Sequence, residues 1–262
     1  MFNDVGLKME RFLIFAGAGV SQESGLNTFR DAGGIWTQYN VMELCNFQKW
    51  ATATKESDPL REKIFEFYNY RKKEIQKAKP NAAHYKVAEW QQRYGDKVVI
   101  VTSNIDDLFE KAGCTDVIHV HGETTNMKCA ACGEVWDIGQ DEFEHEPRCP
   151  HCNSRYTKPN VVFFGEGAPR YADMFYHFHA KRRSRDDVIL YAGSSMSVIH
   201  PGTIFGDVRK DRKAHWGHKI LVNKDTDVDD SLFDHAFYGL ATEEFQKVDE
   251  FIQGIDFQGK TT

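Results

Sequence analysis

The sequence contains no apolar run of the length that a membrane-spanning helix requires. Its beginning shows no small-residue cleavage site after a charged head and an apolar stretch, so we expect no secretory signal and a cytoplasmic location. The chain also lacks an excess of positive charge, and its formal net charge of −6 argues against general nucleic-acid binding. Internal repeats and low-complexity stretches are absent. The overall composition, with 41% hydrophobic and 27% charged residues, is typical of a soluble globular protein.

A compact cluster of positive charge nevertheless occurs at Lys181, Arg182, Arg183 and Arg185. It follows YADMFYHFHA, which has the pattern of an amphipathic helix, and cations are favourable at a helix C-terminus. We therefore interpret the cluster as a solvated helix end. Docking of acidic partners is the alternative interpretation.

Short apolar segments recur along the chain with helical stretches between them, a pattern that predicts an α/β fold with a doubly wound parallel sheet. Two stretches interrupt the pattern, a helical one at 40–79 and a cysteine-containing one at 124–158, and we expect them to form a smaller domain. The larger domain would then consist of 1–39, 80–123 and 159–262. The predicted strands are residues 11–16, 97–102, 117–120, 160–164, 187–192 and 218–222.

Local signals predict where several helices begin and end. Asp58-Pro59 combines an N-cap with a proline at the first helical position, and this helix ends near Lys79-Pro80. Another helix opens near Asn81. A closing helix near the C-terminus has Thr242 as its predicted N-cap.

Four of the six cysteines form two Cys-x-x-Cys pairs that sixteen residues separate, which is the spacing of a zinc ribbon. Two disulfides are the alternative, and they are disfavoured in a cytosolic protein. Four thiolates fill a tetrahedral shell and leave no position for water or substrate, so we expect one structural zinc ion. The predicted ligands are Cys129, Cys132, Cys149 and Cys152, whereas Cys45 and Cys114 are interpreted as small buried residues.

A glycine-rich turn directly follows the first apolar strand. Gly17, Ala18 and Gly19 come after the apolar run at 12–15, and backbone N–H groups in such a turn can hold a pyrophosphate. The third glycine of the usual dinucleotide fingerprint is missing, because Gln22 stands in its place. By itself the turn fits either a phosphate site or a tight connection between strand and helix.

Polar residues follow two further predicted strands. Asn104 and Asp106, within TSNID, come at the end of a parallel strand, where open α/β sheets bind ligands. Capping of the next helix is the alternative interpretation of both residues. His121-Gly122 follows the next strand, and a histidine can accept a proton near neutral pH. We therefore regard His121 as a candidate catalytic base.

Taken together, these motifs resemble those of the sirtuins, the NAD-dependent protein deacylases. The resemblance covers most of the chain and implies a Rossmann-like NAD-binding domain with a smaller zinc-binding and helical lobe. NAD, as a co-substrate, and an acylated lysine would meet in the cleft between them. The motifs, in chain order, are GAGVSxxSG, Phe29-Arg30, TxNID, His121-Gly122, the four cysteines, KPxVVxFGE at 158–166, GSS at 193–195 and Asn223.

The resemblance also implies roles for the matching positions. His121 would act as base on a ribose hydroxyl, Asn104 would act with it, and the products would be free lysine, nicotinamide and acyl-ADP-ribose. The peptide backbone would lie between residues 195–198 and the segment with Val162, Phe163, Gly165 and Glu166. The implied NAD-binding residues are Gly17, Ala18, Phe29, Arg30, Ser103, Asn104, Asp106, Gly193, Ser194, Ser195, Asn223 and Ala241.

Tyr68 and Arg71 lie three residues apart on a predicted helix and therefore on one face of it. From spacing alone they fit a packed tyrosine beside a surface arginine. The pair also resembles the Tyr-x-x-Arg of sirtuins that remove succinyl, malonyl or glutaryl groups, whose terminal carboxylate an arginine can pair. The resemblance thus implies an enzyme that removes succinyl or malonyl groups, and acetyl groups more weakly.

Three positions depart from the family pattern: Ser103 replaces a glutamine, Phe109 a histidine and Asn27 a proline. Because Ser103 is shorter than a ribose-contacting amide, cofactor affinity or rate is expected to suffer. An NAD glycohydrolase and a non-catalytic NAD or ADP-ribose sensor are the alternative functions. The peptide segment at 158–166, together with Tyr68 and Arg71, argues against the first, and His121 argues against the second. As partners we expect acylated-lysine proteins, with no membrane and no specific nucleic acid, and we expect a monomer.

Overall fold

A six-stranded parallel sheet is the largest element of the structure. The structure, a computed structural model, describes residues 9–26, 41–53, 59–180, 184, 186–205 and 217–258. All neighbouring strands of this sheet are parallel, which confirms the predicted α/β class. In order across the sheet, the strands are β3 (Ile118–His119), β2 (Val98–Thr102), β1 (Phe12–Ala16), β7 (Val188–Ala192), β8 (His218–Asn223) and β9 (His235–Tyr238).

The α-helices in the described residues are α1 (Val41–Leu44), α2 (Phe47–Thr52), α3 (Leu60–Lys77), α4 (Ala82–Tyr94), α5 (Leu108–Lys111), α6 (Tyr171–Phe175), α7 (Pro201–Phe205) and α8 (Ala241–Gln258). No helix within the described ranges is both long and apolar enough to cross a membrane.

Strand β1 lies between β2 and β7, and all five of its residues are buried. Phe12 and Ile14 pack in one hydrophobic cluster, together with Trp90 of α4 and Phe245 of α8. The alternate residues of β1, at positions 13 and 15, point to the opposite face of the sheet, where they belong to a second cluster that includes Phe205 of α7. Because helices cover both faces, the strand is apolar throughout instead of alternating.

A second, smaller sheet is antiparallel and has the order β5 (Val135–Asp137), β4 (Gly122–Cys129) and β6 (Thr157–Val161). The prediction of a strand of the main sheet at 160–164 is therefore wrong. An apolar run shows that a segment is buried but not which sheet it joins. Here β6 pairs with β4, and Phe163 beyond it packs in a third cluster with Trp50 and Tyr68.

The observed helix termini agree with the predicted capping signals to within one or two residues. Helix α3 begins at Leu60 with Pro59 at the N-cap position, one residue later than predicted, and Asp58 lies outside the described residues. Helix α4 opens next to Asn81 as expected, and the Asn81 side chain caps it by accepting hydrogen bonds from the N–H groups of Ala83 and His84.

Helix α8 begins two residues earlier than predicted, at Ala241. Thr242 is therefore not the N-cap, and its hydroxyl donates instead to the Glu23 carboxylate. The carbonyl of Leu240 accepts from the N–H groups of Glu243 and Glu244, so the first helical turn is already closed without the threonine.

The amphipathic stretch before the basic cluster is not one regular helix. Helix α6 ends at Phe175 and continues as a wider π-type turn from Tyr176 to Ala180. Lys181, Arg182, Arg183 and Arg185 lie outside the described residues.

The third hydrophobic cluster joins the two stretches that interrupt the main pattern of strands and helices. Its buried members from these stretches include Trp50 of α2, Phe65 of α3, Met127 of β4 and Phe143. We keep the division into a smaller domain at 40–79 and 124–158 as a proposal, which this shared core supports.

Candidate functional site

The carboxyl ends of four parallel strands bring most of the predicted ligand-binding residues to one edge of the main sheet. Gly17 follows β1, Ser103 follows β2, Gly193 follows β7, and Asn223 is the last residue of β8. In open α/β sheets this edge is where ligands bind. Phe29 and Arg30, which the resemblance also assigned to the site, lie outside the described residues, as does Asn27.

The turns after β1 and β7 touch each other through their backbones. The N–H of Gly19 donates to the carbonyl of Gly193 over 2.7 Å. A Cβ added at Gly17 would lie 2.7 Å from that same carbonyl oxygen, and Gly193 has φ +60°. Side chains are excluded here because the two turns approach so closely. Ala18 begins a short 3₁₀ turn instead of a regular helix, which agrees with the missing third glycine at position 22.

The GSS segment is fixed from two sides. Asn223 Nδ2 donates to the carbonyl of Ser194 over 2.8 Å, and Ser194 Oγ donates to the hydroxyl of Tyr191 over 2.8 Å, since that hydroxyl itself donates to the carbonyl of Ile199. Ser195 is exposed and Ala241, at the start of α8, is buried. Neighbouring strands therefore position residues 193–195 at the sheet edge.

Asn104 is buried, and one of its polar atoms is left without a partner. Its Nδ2 donates to Ser21 Oγ over 3.1 Å, whereas its Oδ1 accepts no hydrogen bond from any described residue. A buried amide oxygen without a donor is costly, so it is well suited to a donor supplied by a ligand such as NAD. Ser21, which in turn lies 3.3 Å from His84 Nε2, was not among the predicted site residues.

Asp106 serves the capping role that was the alternative interpretation. Its Oδ1 accepts from the N–H of Leu108 over 3.2 Å at the start of α5. Burial raises the pKa of this carboxyl, and the hydrogen bonds from Leu108 and Ser21 oppose that increase. Asn104 makes no such contact with the helix, so capping explains Asp106 but not Asn104.

The two ring nitrogens of His121 have different partners. Nδ1 lies 3.2 Å from the carbonyl oxygen of Ser103, and Nε2 lies 2.9 Å from the hydroxyl of Tyr171. A carbonyl can only accept, so Nδ1 carries the hydrogen, and the unprotonated Nε2 accepts a hydrogen bond from the Tyr171 hydroxyl. Burial lowers the pKa of His121. A neutral imidazole with an unprotonated Nε2 is the form that a general base requires.

The backbone conformation and the close surroundings of Gly122 explain why a glycine follows His121. The φ of Gly122 is +80°, and a Cβ here would lie 1.8 Å from the carbonyl oxygen of Asn160. The close pairing of β4 with β6 therefore depends on glycine at this position. Next to it, Val162 N–H donates to the carbonyl of His121 over 2.9 Å, which connects the histidine directly to the segment at 162–166.

The segment at 162–166 is held by backbone bonds and by one carboxylate. Phe164 N–H donates to the carbonyl of Cys45 over 2.7 Å, and Gly165 has φ +82°. Glu166 is mostly buried: its Oε2 accepts from Phe163 N–H over 3.0 Å and lies 2.9 Å from Lys158 Nζ. Lys158 has no exposed surface and was missed as a structural residue, because its partner comes eight positions later.

Tyr68 and Arg71 are both buried, with 2% and 7% of their surfaces exposed. The interpretation of Arg71 as a surface arginine is therefore wrong. Tyr68 stacks on Phe163 with ring centroids 5.8 Å apart, and its hydroxyl lies 3.2 Å from Cys45 Sγ. Burial raises the pKa of Tyr68, so its hydroxyl is a hydrogen-bond donor at neutral pH. Arg71 Nη1 lies 2.6 Å from Glu74 Oε2.

The four predicted metal ligands form one cluster. All four sulfur atoms lie within 4.8 Å of one another, with Cys129 Sγ 3.6 Å from Cys152 Sγ and Cys132 Sγ 3.7 Å from Cys149 Sγ. A tetrahedral zinc ion with Zn–S bonds of about 2.3 Å would place its ligands about 3.8 Å apart. The cluster therefore fits a structural zinc ion.

Tight turns form this cluster. The N–H of Gly133 donates to the carbonyl of Cys129, and the N–H of Asn153 donates to the carbonyl of Cys149, each over 2.9 Å. Gly133 has φ +84° and Asn153 has φ +62°. Glycine and asparagine are the residues that adopt this conformation most readily, which is why each Cys-x-x-Cys pair can fold back around one point.

Comparison with known proteins agrees with this geometry. The model of the Sir2 family matches residues 17–200. An NAD-dependent protein deacylase of Helicobacter hepaticus is 36% identical over 262 residues, which cover 94% of this chain and 98% of that protein. A crystal structure of a Sir2 homologue in complex with NAD is 32% identical, has a TM-score of 0.74, and covers 93% of this chain and 90% of that one.

A further Sir2 structure contains a deacetylated p53 peptide and 3'-O-acetyl ADP ribose. It is 26% identical to this chain, has a TM-score of 0.68, and covers 92% of this chain and 93% of that one.

Proposed function

The chain belongs to the Sir2 family and is an NAD-dependent protein deacylase, and we propose that the acyl groups it removes from lysine are mainly succinyl and malonyl, with acetyl removed more weakly. The observation that carries the proposal is the burial of Arg71 one helical turn from Tyr68. Tyr68 in turn stacks on Phe163, in the segment that we propose binds the substrate peptide.

The charge of Arg71 is the physical basis of this preference. A guanidinium group can pair both oxygens of a terminal carboxylate, and the Tyr68 hydroxyl adds a further donor. An acetyl group ends in a methyl and offers no such acceptor. Charge-assisted hydrogen bonds contribute about 1.5–3 kcal/mol, which corresponds to about a ten- to a hundredfold difference in kcat/KM.

NAD would lie along the sheet edge described above. Gly17, Ala18 and the segment 193–195 would contact its phosphates and riboses, Asn223 its adenosine ribose, and Ala241 its adenine. The close backbone approach at Gly17 and Gly193 supports this placement, since it keeps side chains away from the sheet edge at this point. Phe29 and Arg30 keep their proposed role beside the nicotinamide and phosphates.

At the nicotinamide end, Asn104, Ser103 and Asp106 would form the pocket. The unpartnered Oδ1 of Asn104 supports a hydrogen bond from the cofactor there. The acyl oxygen would displace nicotinamide from the ribose carbon, and His121 Nε2 would then take a proton from a ribose hydroxyl. The lowered pKa of His121 supports this role, because it keeps the imidazole neutral at physiological pH.

The peptide would lie beside Val162, Phe163 and Gly165, by pairing with main chain more than with side chains. The p53-peptide complex of a Sir2 protein supports a peptide substrate. Glu166 would act mainly by holding this segment in place, given its contacts with Lys158 and Phe163. The expected partners are thus acylated-lysine proteins, and a monomer in the cytoplasm remains our prediction.

Substitution of Arg71 by methionine tests the acyl preference. We expect Arg71→Met to reduce kcat/KM for a succinyl-lysine peptide by about ten- to a hundredfold, since one charge-assisted pair is lost, while deacetylation of the matched acetyl peptide changes little. Lys63→Met, which removes an exposed cation from the same helix, is the control. Equal losses with both peptides would contradict the proposal.

A further inference from the structure

The cation that we propose for acyl recognition already has a carboxylate partner within the chain. Arg71 Nη1 and Glu74 Oε2 lie 2.6 Å apart, one helical turn from each other on α3. The other oxygen of Glu74, Oε1, accepts from the Tyr70 hydroxyl over 3.0 Å. Both oxygens of Glu74 are therefore engaged, and the carboxylate is held against the guanidinium.

The two partners differ in their access to solvent. The Arg71 side chain is 9% exposed, whereas that of Glu74 is 26% exposed. Arg71 is thus fixed in the protein interior, while Glu74 can rotate outward and be solvated at small cost. An ion pair with one buried and one solvent-accessible member is suited to exchange of the accessible member.

We propose that Glu74 is a specificity-determining residue that competes with the acyl carboxylate for Arg71. This inference rests on the proposed recognition of succinyl and malonyl groups by Arg71. Without a substrate carboxylate, Glu74 neutralises the buried guanidinium. A dicarboxylic acyl group must displace Glu74, because two carboxylates on one cation repel each other.

Competition of this kind has opposite consequences for the two classes of acyl group. With acetyl-lysine bound, Arg71 keeps Glu74 as its partner, so no buried charge is left uncompensated and the acetyl group is tolerated. With succinyl-lysine bound, the ion pair between Arg71 and the acyl carboxylate replaces the ion pair between Arg71 and Glu74, so the net gain in binding is smaller. Glu74 therefore reduces the preference for succinyl over acetyl that Arg71 alone would give, and the chain accepts both kinds of acyl group.

Substitution of Glu74 by glutamine tests this directly, because it removes the charge and keeps the shape. We expect Glu74→Gln to raise the ratio of kcat/KM for succinyl- over acetyl-lysine peptide by about tenfold, mainly through a lower KM for the succinyl peptide. Glu66→Gln, the same change at an exposed position of the same helix, should leave the ratio unchanged. Tyr70→Phe, which releases Glu74 Oε1, should shift the ratio in the same direction by a smaller factor.

The double variant Glu74→Gln/Arg71→Met separates this inference from the proposed function. Because Glu74 acts through Arg71, the double variant should have the same ratio as Arg71→Met alone. If Arg71→Met lowers the ratio but neither Glu74→Gln nor Tyr70→Phe raises it, the competition is refuted and the acyl preference stands. If Arg71→Met leaves the ratio unchanged, the proposed acyl recognition itself fails, and the competition fails with it.

Discussion

Replacement of Glu166 by glutamine should destabilise the protein far more than the same replacement at its surface. Glu166 Oε2 lies 2.9 Å from Lys158 Nζ, and the two side chains are 7% and 0% exposed. The Lys158 ammonium also donates to the carbonyl of Val161 over 2.5 Å. Without the carboxylate, a buried positive charge would have only neutral acceptors, with the cationic Lys128 close to the same position.

Removal of one member of a buried ion pair costs about 3–5 kcal/mol, because the other charge stays buried without compensation. We expect a loss of this size for Glu166→Gln in the free energy of unfolding at pH 7, measured by urea denaturation with an unchanged m-value. Glu142→Gln is the matched control. Glu142 pairs with Lys73 at 2.7 Å, but these side chains are 61% and 53% exposed, so the expected loss is at most about 1 kcal/mol.

Two further measurements sharpen this test. Glu166→Gln/Lys158→Met has no buried charge at this position and should recover most of the lost stability. The deficit should also shrink as the pH rises towards 8. Burial lowers the pKa of Lys158 from 10.5 to about 8, and the Glu166 carboxylate opposes this decrease. Without the carboxylate the folded variant releases the Lys158 proton at a lower pH, so its stability already rises with pH below 8, where that of the unchanged protein does not yet rise. Equal losses for Glu166→Gln and Glu142→Gln would refute the reasoning.

Two other predictions concern the metal and acid stability. Removal of zinc by a chelator should expose residues 124–158 to protease, and Cys149→Ser should both abolish the binding of one zinc per chain and have the same effect. The reason is that structural zinc contributes about 10–16 kcal/mol to the folding of small modules. Unchanged protease resistance in the metal-free protein would contradict this. Burial lowers the pKa of His84 to about 4, so between pH 6.5 and 4 the unfolded chain binds a proton that the folded chain does not. The free energy of unfolding should therefore fall by about 3 kcal/mol as the pH decreases through that range. Urea titrations at several pH values measure this fall, and His84→Gln should reduce it; an identical pH dependence in the variant would show that His84 is not its source.

Features governed by short-range rules could be predicted from the sequence. The N-cap at Asn81, the Cys-x-x-Cys pairs and the glycine turn at 17–19 each depend on residues within a few positions of one another. The parallel sheet could be predicted as well, because buried strands that alternate with helices leave a regular apolar pattern.

Contacts between distant segments could not be predicted in this way. The hydroxyl of Tyr171 lies against His121 Nε2 although fifty positions separate the residues, and no local pattern indicates such a pair. The apolar run at 160–164 is compatible with either sheet, so its pairing with β4 depends on the folded zinc module. The contact between Arg71 and Glu74 is different, since residues three apart on a helix are neighbours and the sequence does contain that signal.

The central claim is that this site transfers the acyl group of a modified lysine to ADP-ribose with cleavage of NAD. It is tested most directly by incubating the protein and NAD with succinyl-, acetyl- or unmodified-lysine versions of one peptide, and following nicotinamide and acyl-ADP-ribose together. We expect nicotinamide only with the acylated peptides, in amounts equal to the acyl-ADP-ribose formed, and faster with succinyl- than with acetyl-lysine. Nicotinamide release at the same rate with the unmodified peptide would contradict the account and identify the activity as NAD hydrolysis.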